Sequence, residues 1–185
     1  MSPRFRLSTR ELLVCAAIGV ATGLLGGIAG ASTTWVLAVA PVVYGLVLGV
    51  HVLPGIIAQE TLRLPFVAIT THVIAALVSS AVTLGAFTWQ FLGTALLFGG
   101  IQEAVAAVTR YRSWAAGRYF ISGAIIGLVV AAAVYFAAHL KTFPLWAQIV
   151  YLALSMLGPL AWTAVALWVG AGLRRAGVAR PRLRR

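Results

Sequence analysis

Acid is almost missing from this chain. Three glutamates, Glu11, Glu60 and Glu103, stand among 185 residues, against 14 lysines and arginines. Charged residues of either sign make up only 9%, where a soluble domain carries about a quarter. A single cysteine, Cys15, inside an apolar run, excludes both a disulfide framework and a cysteine metal cluster. No G-x-x-x-x-G-K-[ST] phosphate loop occurs, and no soluble lobe could hold one, so the chain cannot harvest ATP by that device. Internal repeats and low-complexity linkers are also lacking, which leaves a single domain spanning 1–185.

What the chain has is apolar residues, 62% of the whole. They fall into six runs, at roughly 12–31, 39–61, 65–85, 91–108, 119–138 and 146–173. A hydrocarbon core about 30 Å thick needs about 20 residues of helix, and the runs are continuous rather than alternating at period two. The expectation is an all-α, polytopic membrane protein of six transmembrane helices.

The charge of +11, which in a soluble protein would suggest nucleic acid, sorts into a topology. Arg4, Arg6 and Arg10 precede span 1, Arg63 lies between spans 2 and 3, and Arg110, Arg112 and Arg118 lie between spans 4 and 5. Six more arginines follow span 6 in a basic 174–185 tail, and only Lys141 falls on the other side. The positive-inside rule then puts both termini in the cytoplasm and assigns the charge to orientation and anionic lipid, not to nucleic acid. Arg4 to Arg10 ahead of an apolar run also resembles a cleavable secretory signal. That run is about 20 residues, beyond the usual 7 to 15 of a signal core, so the first span is read as retained.

Span 1 carries small residues four apart: Ala17 and Ala21, Gly19 and Gly23, Gly23 and Gly27, Gly26 and Gly30. Such faces let a second helix approach closely, either within this bundle or on a separate membrane subunit. Glu11 reads as an interfacial charge, and Glu60 as a local partner of Arg63. Glu103 lies inside span 4 and needs a partner, as a ligand site or as a structural carboxyl. His51, His72 and His139 are scattered on spans 2, 3 and 5. They read as buried hydrogen-bonding groups or, in a small integral-membrane redox or lipid-modifying enzyme, as haem or metal ligands.

Polar residues converge towards the outer side. Gln148, Tyr151 and Ser155 share a stripe of span 6, and Tyr135 and His139 share one of span 5. The outer connections bring Ser32, Thr33, Thr34 and Trp35, then Thr88, Trp89 and Gln90. Together they suggest a pocket for a small planar ligand, walled by spans 4 to 6 and lidded by the first outer loop. Trp35, Trp89 and Trp146 read equally as an interfacial aromatic belt, with Trp114 and Trp168 as its cytoplasmic counterpart. Pro54-Gly55 and Gly158-Pro159 are expected to kink spans 2 and 6.

Three stretches carry a family resemblance: PVVYGLVLGVHVLP at 41–54, EAVAAVTRYRSW at 103–114 and LRRAGV at 173–178. They resemble the substrate-binding membrane subunits (S components) of energy-coupling factor (ECF) vitamin transporters, of the YkoE type assigned to thiamine or its hydroxymethylpyrimidine precursor. The resemblance implies a six-helix subunit of the bacterial cell membrane, not itself an enzyme and without a cofactor of its own. Its implied partners are a coupling transmembrane subunit, docked on Ala17 and Ala21, and a pair of ABC ATPases that use the ATP. For a thiamine-like ligand, Glu103 would meet the aminopyrimidine, Trp35, Trp89, Tyr135 and Tyr151 would supply aromatic faces, and His139 and Gln148 would complete the pocket. His72, Ser79, Phe98 and Gln102 depart from the family pattern.

Overall fold

The computed structural model describes residues 7–86, 88–137 and 139–178. Arg4, Arg6, Arg180, Arg182, Arg184 and Arg185, with the rest of the tail beyond 178, lie outside that set. Among the described residues all regular structure is helical: α1 (Thr9–Val39), α2 (Tyr44–Leu48), α3 (Leu53–Leu62), α4 (Val67–Val82), α5 (Thr88–Val108), α6 (Ala116–Ala137) and α7 (Leu145–Arg175). Five segments are long and apolar enough to cross a membrane: Thr9–Val39, Pro41–Leu62, Thr88–Val108, Ala116–Phe136 and Leu145–Arg175. The third expected span, 65–85, contains only the 16 residues of α4, about 24 Å of helix. It opens after Phe66 at φ 64° and ends before a turn holding Leu84 and Gly85 at positive φ, which trims both ends of the apolar run.

α1 begins on a capping box: the Glu11 amide donates to Ser8 Oγ at 3.4 Å, and Glu11 Oε2 accepts from the Ser8 amide at 2.6 Å. Glu11 is therefore a helix-start residue and not simply an interfacial charge. At the other end α1 runs past residue 31 to Val39, so the expected first outer loop is helical. The Ser32 and Thr33 hydroxyls donate to the Ala29 carbonyl at 2.8 and 3.2 Å, which satisfies them without leaving the helix. Thr88, Trp89 and Gln90 likewise form the first turn of α5.

α1 lies along α4, and glycine lets it do so. A Cβ on Gly23 would stand 2.6 Å from the Ala75 carbonyl oxygen, and one on Gly19 2.7 Å from Ile74. The small residues of span 1 thus divide by face. Gly19, Gly23, Gly26 and Gly27 are buried, whereas Ala17 and Ala21 are exposed beside Leu24 and Ile28.

The second span is assembled from pieces. Pro41 opens a 3-10 turn (Pro41–Val43), α2 follows, a second 3-10 turn (Gly49–Val52) comes next, and Pro54 sits in the first turn of α3. Proline has no N–H to give the preceding turn, so the ladder changes where the sequence places it. α7, by contrast, continues through Pro159. There span 2 crosses closely: a Cβ on Gly158 would lie 2.6 Å from the Gly45 carbonyl oxygen.

Basic residues gather at one end of the bundle. Arg10 Nη2 donates to the Val178 carbonyl at 3.0 Å, and Arg174 pairs with Glu60. This end holds Arg63, Arg110, Arg112 and Arg118, and Lys141 lies in the turn between α6 and α7 at the far end.

Candidate functional site

A narrow cavity of about 20 Å³, room for about one water, lies between α1, the second span, α4 and α5. Thr22 and Gly26 reach it from α1, and His51 and Pro54 from span 2. His72, Ala75, Ala76 and Ser79 form the α4 wall, and Phe91, Thr94 and Ala95 the α5 wall. This cavity lies among spans 1 to 4, a different place from the pocket expected among spans 4 to 6, and the segment expected as that pocket's lid is part of α1. Among the described residues no charged side chain lines the cavity.

The protons of four of its polar groups follow from their partners. His51 Nδ1 lies 3.2 Å from the Leu48 carbonyl oxygen, which can only accept, so that nitrogen carries the hydrogen and Nε2 keeps a lone pair. Gln102 donates its amide N–H to the Val52 carbonyl at 3.1 Å, which fixes its Oε1 as the acceptor for His72 Nε2 at 3.0 Å. His72 Nδ1 then keeps the lone pair. Ser79 spends its hydroxyl proton on the Gly23 carbonyl at 2.8 Å, and Thr22 on the Ile18 carbonyl at 2.7 Å. The two imidazoles are thus each left with one unprotonated nitrogen, and the Ser79 and Thr22 hydroxyl protons are committed to backbone carbonyls. The His51 ring lies nearly parallel to Phe91, 23° between planes and 6.3 Å between centroids.

The residues singled out from sequence lie elsewhere. Trp35 and Trp89 are 67% and 83% exposed, as belt residues would be. Tyr135 and Gln148 do meet, with the tyrosine hydroxyl donating to Gln148 Oε1 at 2.9 Å. Gln148 in turn donates to the Phe143 carbonyl at 2.8 Å, so the pair braces the α6–α7 turn. Tyr151 is fully buried, its hydroxyl 3.3 Å from the Ala131 carbonyl oxygen, and it joins α7 to α6. His139 has left the helix: α6 ends at Ala137, and His139 sits exposed in the turn at φ 50°. It therefore shares no helical stripe with Tyr135.

Glu103 is at the basic end, far along α5 from Phe91 and Thr94. Its carboxylate accepts from the Phe66 amide at 3.0 Å, the Ala68 amide at 2.8 Å and the Tyr111 hydroxyl at 3.0 Å. Phe66 is the N-cap of α4 and has no capping side chain, so α5 supplies the cap from a neighbouring helix. The negative charge also suits the helix N-terminus. Burial, together with the charge and hydrogen bond of Glu103, pushes the Tyr111 hydroxyl up to about 12, against a smaller opposing effect of Arg118.

Glu60 is more than a local partner of Arg63. Buried, it pairs with Arg63 at 3.4 Å and with Arg174, and accepts from the Tyr119 hydroxyl at 3.0 Å. Beside it the Arg118 guanidinium lies between the Trp114 and Tyr119 rings, 4.4 Å from each centroid, and donates to Gln59 Oε1 at 3.3 Å. Trp114 is thus partly buried over an arginine and is not a simple belt residue.

His51, Ser79, Thr22 and Phe91 were not grouped as a site by sequence. One signal was present: His72, Ala75, Ala76 and Ser79 share a face of span 3, with small residues between two polar ones.

A solved structure described as an S-component of an ECF transporter has the same fold, with a TM-score of 0.74. At 15% identity, the match covers 92% of this chain and 85% of that one. No curated protein matches the chain. The family model for the permease component of the ABC-type cobalt transport system matches residues 10–129. With its several apolar helices this is a multi-pass membrane protein, and its class is transport, not the histidine-based enzyme considered above. The chain belongs to the family of ABC-type cobalt transport system permease components.

Proposed function

We propose that the chain is the ligand-capturing S component of an ECF importer in a bacterial plasma membrane, with six spans, α4 among them, and both termini in the cytoplasm. The observation that carries this reading is the likeness to a solved S-component along nearly the whole chain. The clustering of arginines at one end supports the orientation, since that end would face the cytoplasm. The exposed Ala17 and Ala21 face supports docking on a coupling transmembrane subunit, whose partner pair of ABC ATPases would use the ATP. The chain itself needs no cofactor in this scheme.

For the ligand, the stretches at 41–54, 103–114 and 173–178 favour thiamine or its hydroxymethylpyrimidine precursor. A second reading, carriage of cobalt, has the family description and the two cavity histidines in its favour. Calorimetric titration of the purified protein with thiamine, hydroxymethylpyrimidine and Co2+ separates them. Binding of a vitamin at about micromolar or tighter is expected. If only Co2+ binds, the vitamin reading falls.

A further inference from the structure

Among the described residues, the positive charge of the connection between α5 and α6 has no carboxylate to balance it. Arg118, in the first turn of α6, is only 6% exposed. Its Nη2 donates to the neutral Gln59 Oε1 at 3.3 Å, while Nε and Nη1 are buried with no hydrogen-bond partner among the described residues. The acids of this end are committed elsewhere: Glu60 holds Arg63 and Arg174, and Glu103 caps α4. Arg110 and Arg112, exposed in the same connection, likewise pair with no carboxylate among the described residues.

The start of α6 adds to the excess. Its first turn contains no acid, and the amides of Ala116 and Gly117 make no hydrogen bond among the described residues. Both residues are exposed, and a Cβ on Gly117 would meet nothing within 4 Å, so the turn is open. The first turn of a helix already concentrates positive potential, and an arginine placed there raises it instead of offsetting it. Free amides, exposed arginines and a buried guanidinium short of acceptors all call for an oxygen-rich anion.

We propose that this turn binds the phosphate of an anionic phospholipid headgroup, held by Arg112 and the Ala116 and Gly117 amides, with Arg118 supplying charge from the buried side. The surroundings favour lipid over free phosphate. α5 and α6 are both long and apolar enough to span, so the turn that joins them lies at the level of headgroup phosphates. Val108, the last residue of α5, is 85% exposed, and Ile121 of α6 is also exposed, which gives acyl chains an apolar surface on both helices that meet at the charged turn. The site goes beyond the transport reading and does not depend on which vitamin or ion is carried.

The test is native mass spectrometry of the full-length protein released from detergent, with phosphatidylglycerol and phosphatidylcholine of matched acyl chains. Phosphatidylglycerol should be retained about tenfold more strongly. Arg112→Gln and Arg118→Met should each remove most of that preference, whereas Arg175→Gln, at an exposed position on α7 at the same end, should leave it in place. Equal retention of the two lipids overturns the proposal, and is the result expected if Arg118 serves an acidic residue of a partner subunit instead. A preference that survives Arg112→Gln, or that falls as far in Arg175→Gln, also overturns it, since diffuse surface charge would then suffice. Displacement of phosphatidylglycerol by millimolar inorganic phosphate assigns the turn to a free anion and overturns the lipid. If Arg118→Met folds poorly, Arg112→Gln, at an exposed position, decides alone.

Discussion

Replacing Glu103 by glutamine tests whether the carboxylate is an anchor or a ligand group. Its two oxygens accept three hydrogen bonds: Oε2 from the Phe66 amide and the Tyr111 hydroxyl, Oε1 from the Ala68 amide. A glutamine in the same place keeps its oxygen on one side and turns an NH2 towards a donor on the other. In the better orientation the oxygen stays at the Oε2 position, two bonds survive and the Ala68 amide is left facing another donor. One buried unpaired N–H costs about 1–3 kcal/mol. Losing the charge at the α4 N-terminus adds about 0.3–1 kcal/mol. Glu103→Gln should therefore destabilise the protein by about 1–4 kcal/mol, read as a fall in the unfolding midpoint in mixed detergent micelles. Ligand affinity should not change, because no part of Glu103 lines the cavity. A variant that unfolds with the parent but binds its ligand less well would refute the anchoring role and restore Glu103 to the binding site.

Three further outcomes follow from the packing and charges. Gly23→Ala drives a methyl into the Ala75 carbonyl and should cost about 1–3 kcal/mol in the same unfolding assay. Ala17→Leu with Ala21→Leu should leave that midpoint and ligand binding unchanged in detergent, since both positions are exposed, yet abolish uptake in cells that hold the coupling subunit. The Tyr111 hydroxyl is raised to about 12 from an ordinary value near 10, so its stabilisation is full below about pH 10 and is lost as the pH climbs through 12. Tyr111→Phe should lower stability at neutral pH and remove that alkaline step from the pH profile of the unfolding midpoint.

The positions of the helices were legible because lipid demands long apolar runs, and the runs at 91–108 and 146–173 fall inside α5 and α7. Their ends were less so. Ser32 and Thr33 look like loop residues until their hydroxyls return to the Ala29 carbonyl. Glu103 was rightly read as needing a partner, but two of its three partners are the amides of Phe66 and Ala68, beside the Tyr111 hydroxyl, and a backbone amide leaves no mark in composition. The stripe through Gln148, Tyr151 and Ser155 suggested a ligand. In the structure Tyr135 satisfies Gln148 and α6 carbonyls satisfy Tyr151, because polar groups surrounded by hydrocarbon pair with one another as readily as with a visitor, while the buried Ser155 Oγ has no hydrogen-bond partner among the described residues. The cavity itself was least legible. Its character lies in which nitrogen of His51 and His72 holds the hydrogen, and Leu48 and Gln102 decide that from other turns and helices.

The two faces of α1 have a mechanical consequence. On its inner side the glycines seat the helix closely on α4, Gly23 against the Ala75 backbone and Gly19 and Gly27 against the stiff branched side chains of Ile74 and Val82. On its outer side Ala17 and Ala21 are bare. A push or twist delivered to that bare side passes through a stiff joint into α4, the helix that carries His72 and Ser79. A displacement of α1 would reach the cavity wall through α4, and Phe91 of α5, which packs on Ala76 of α4 and against Gly30 of α1, would be drawn along with it.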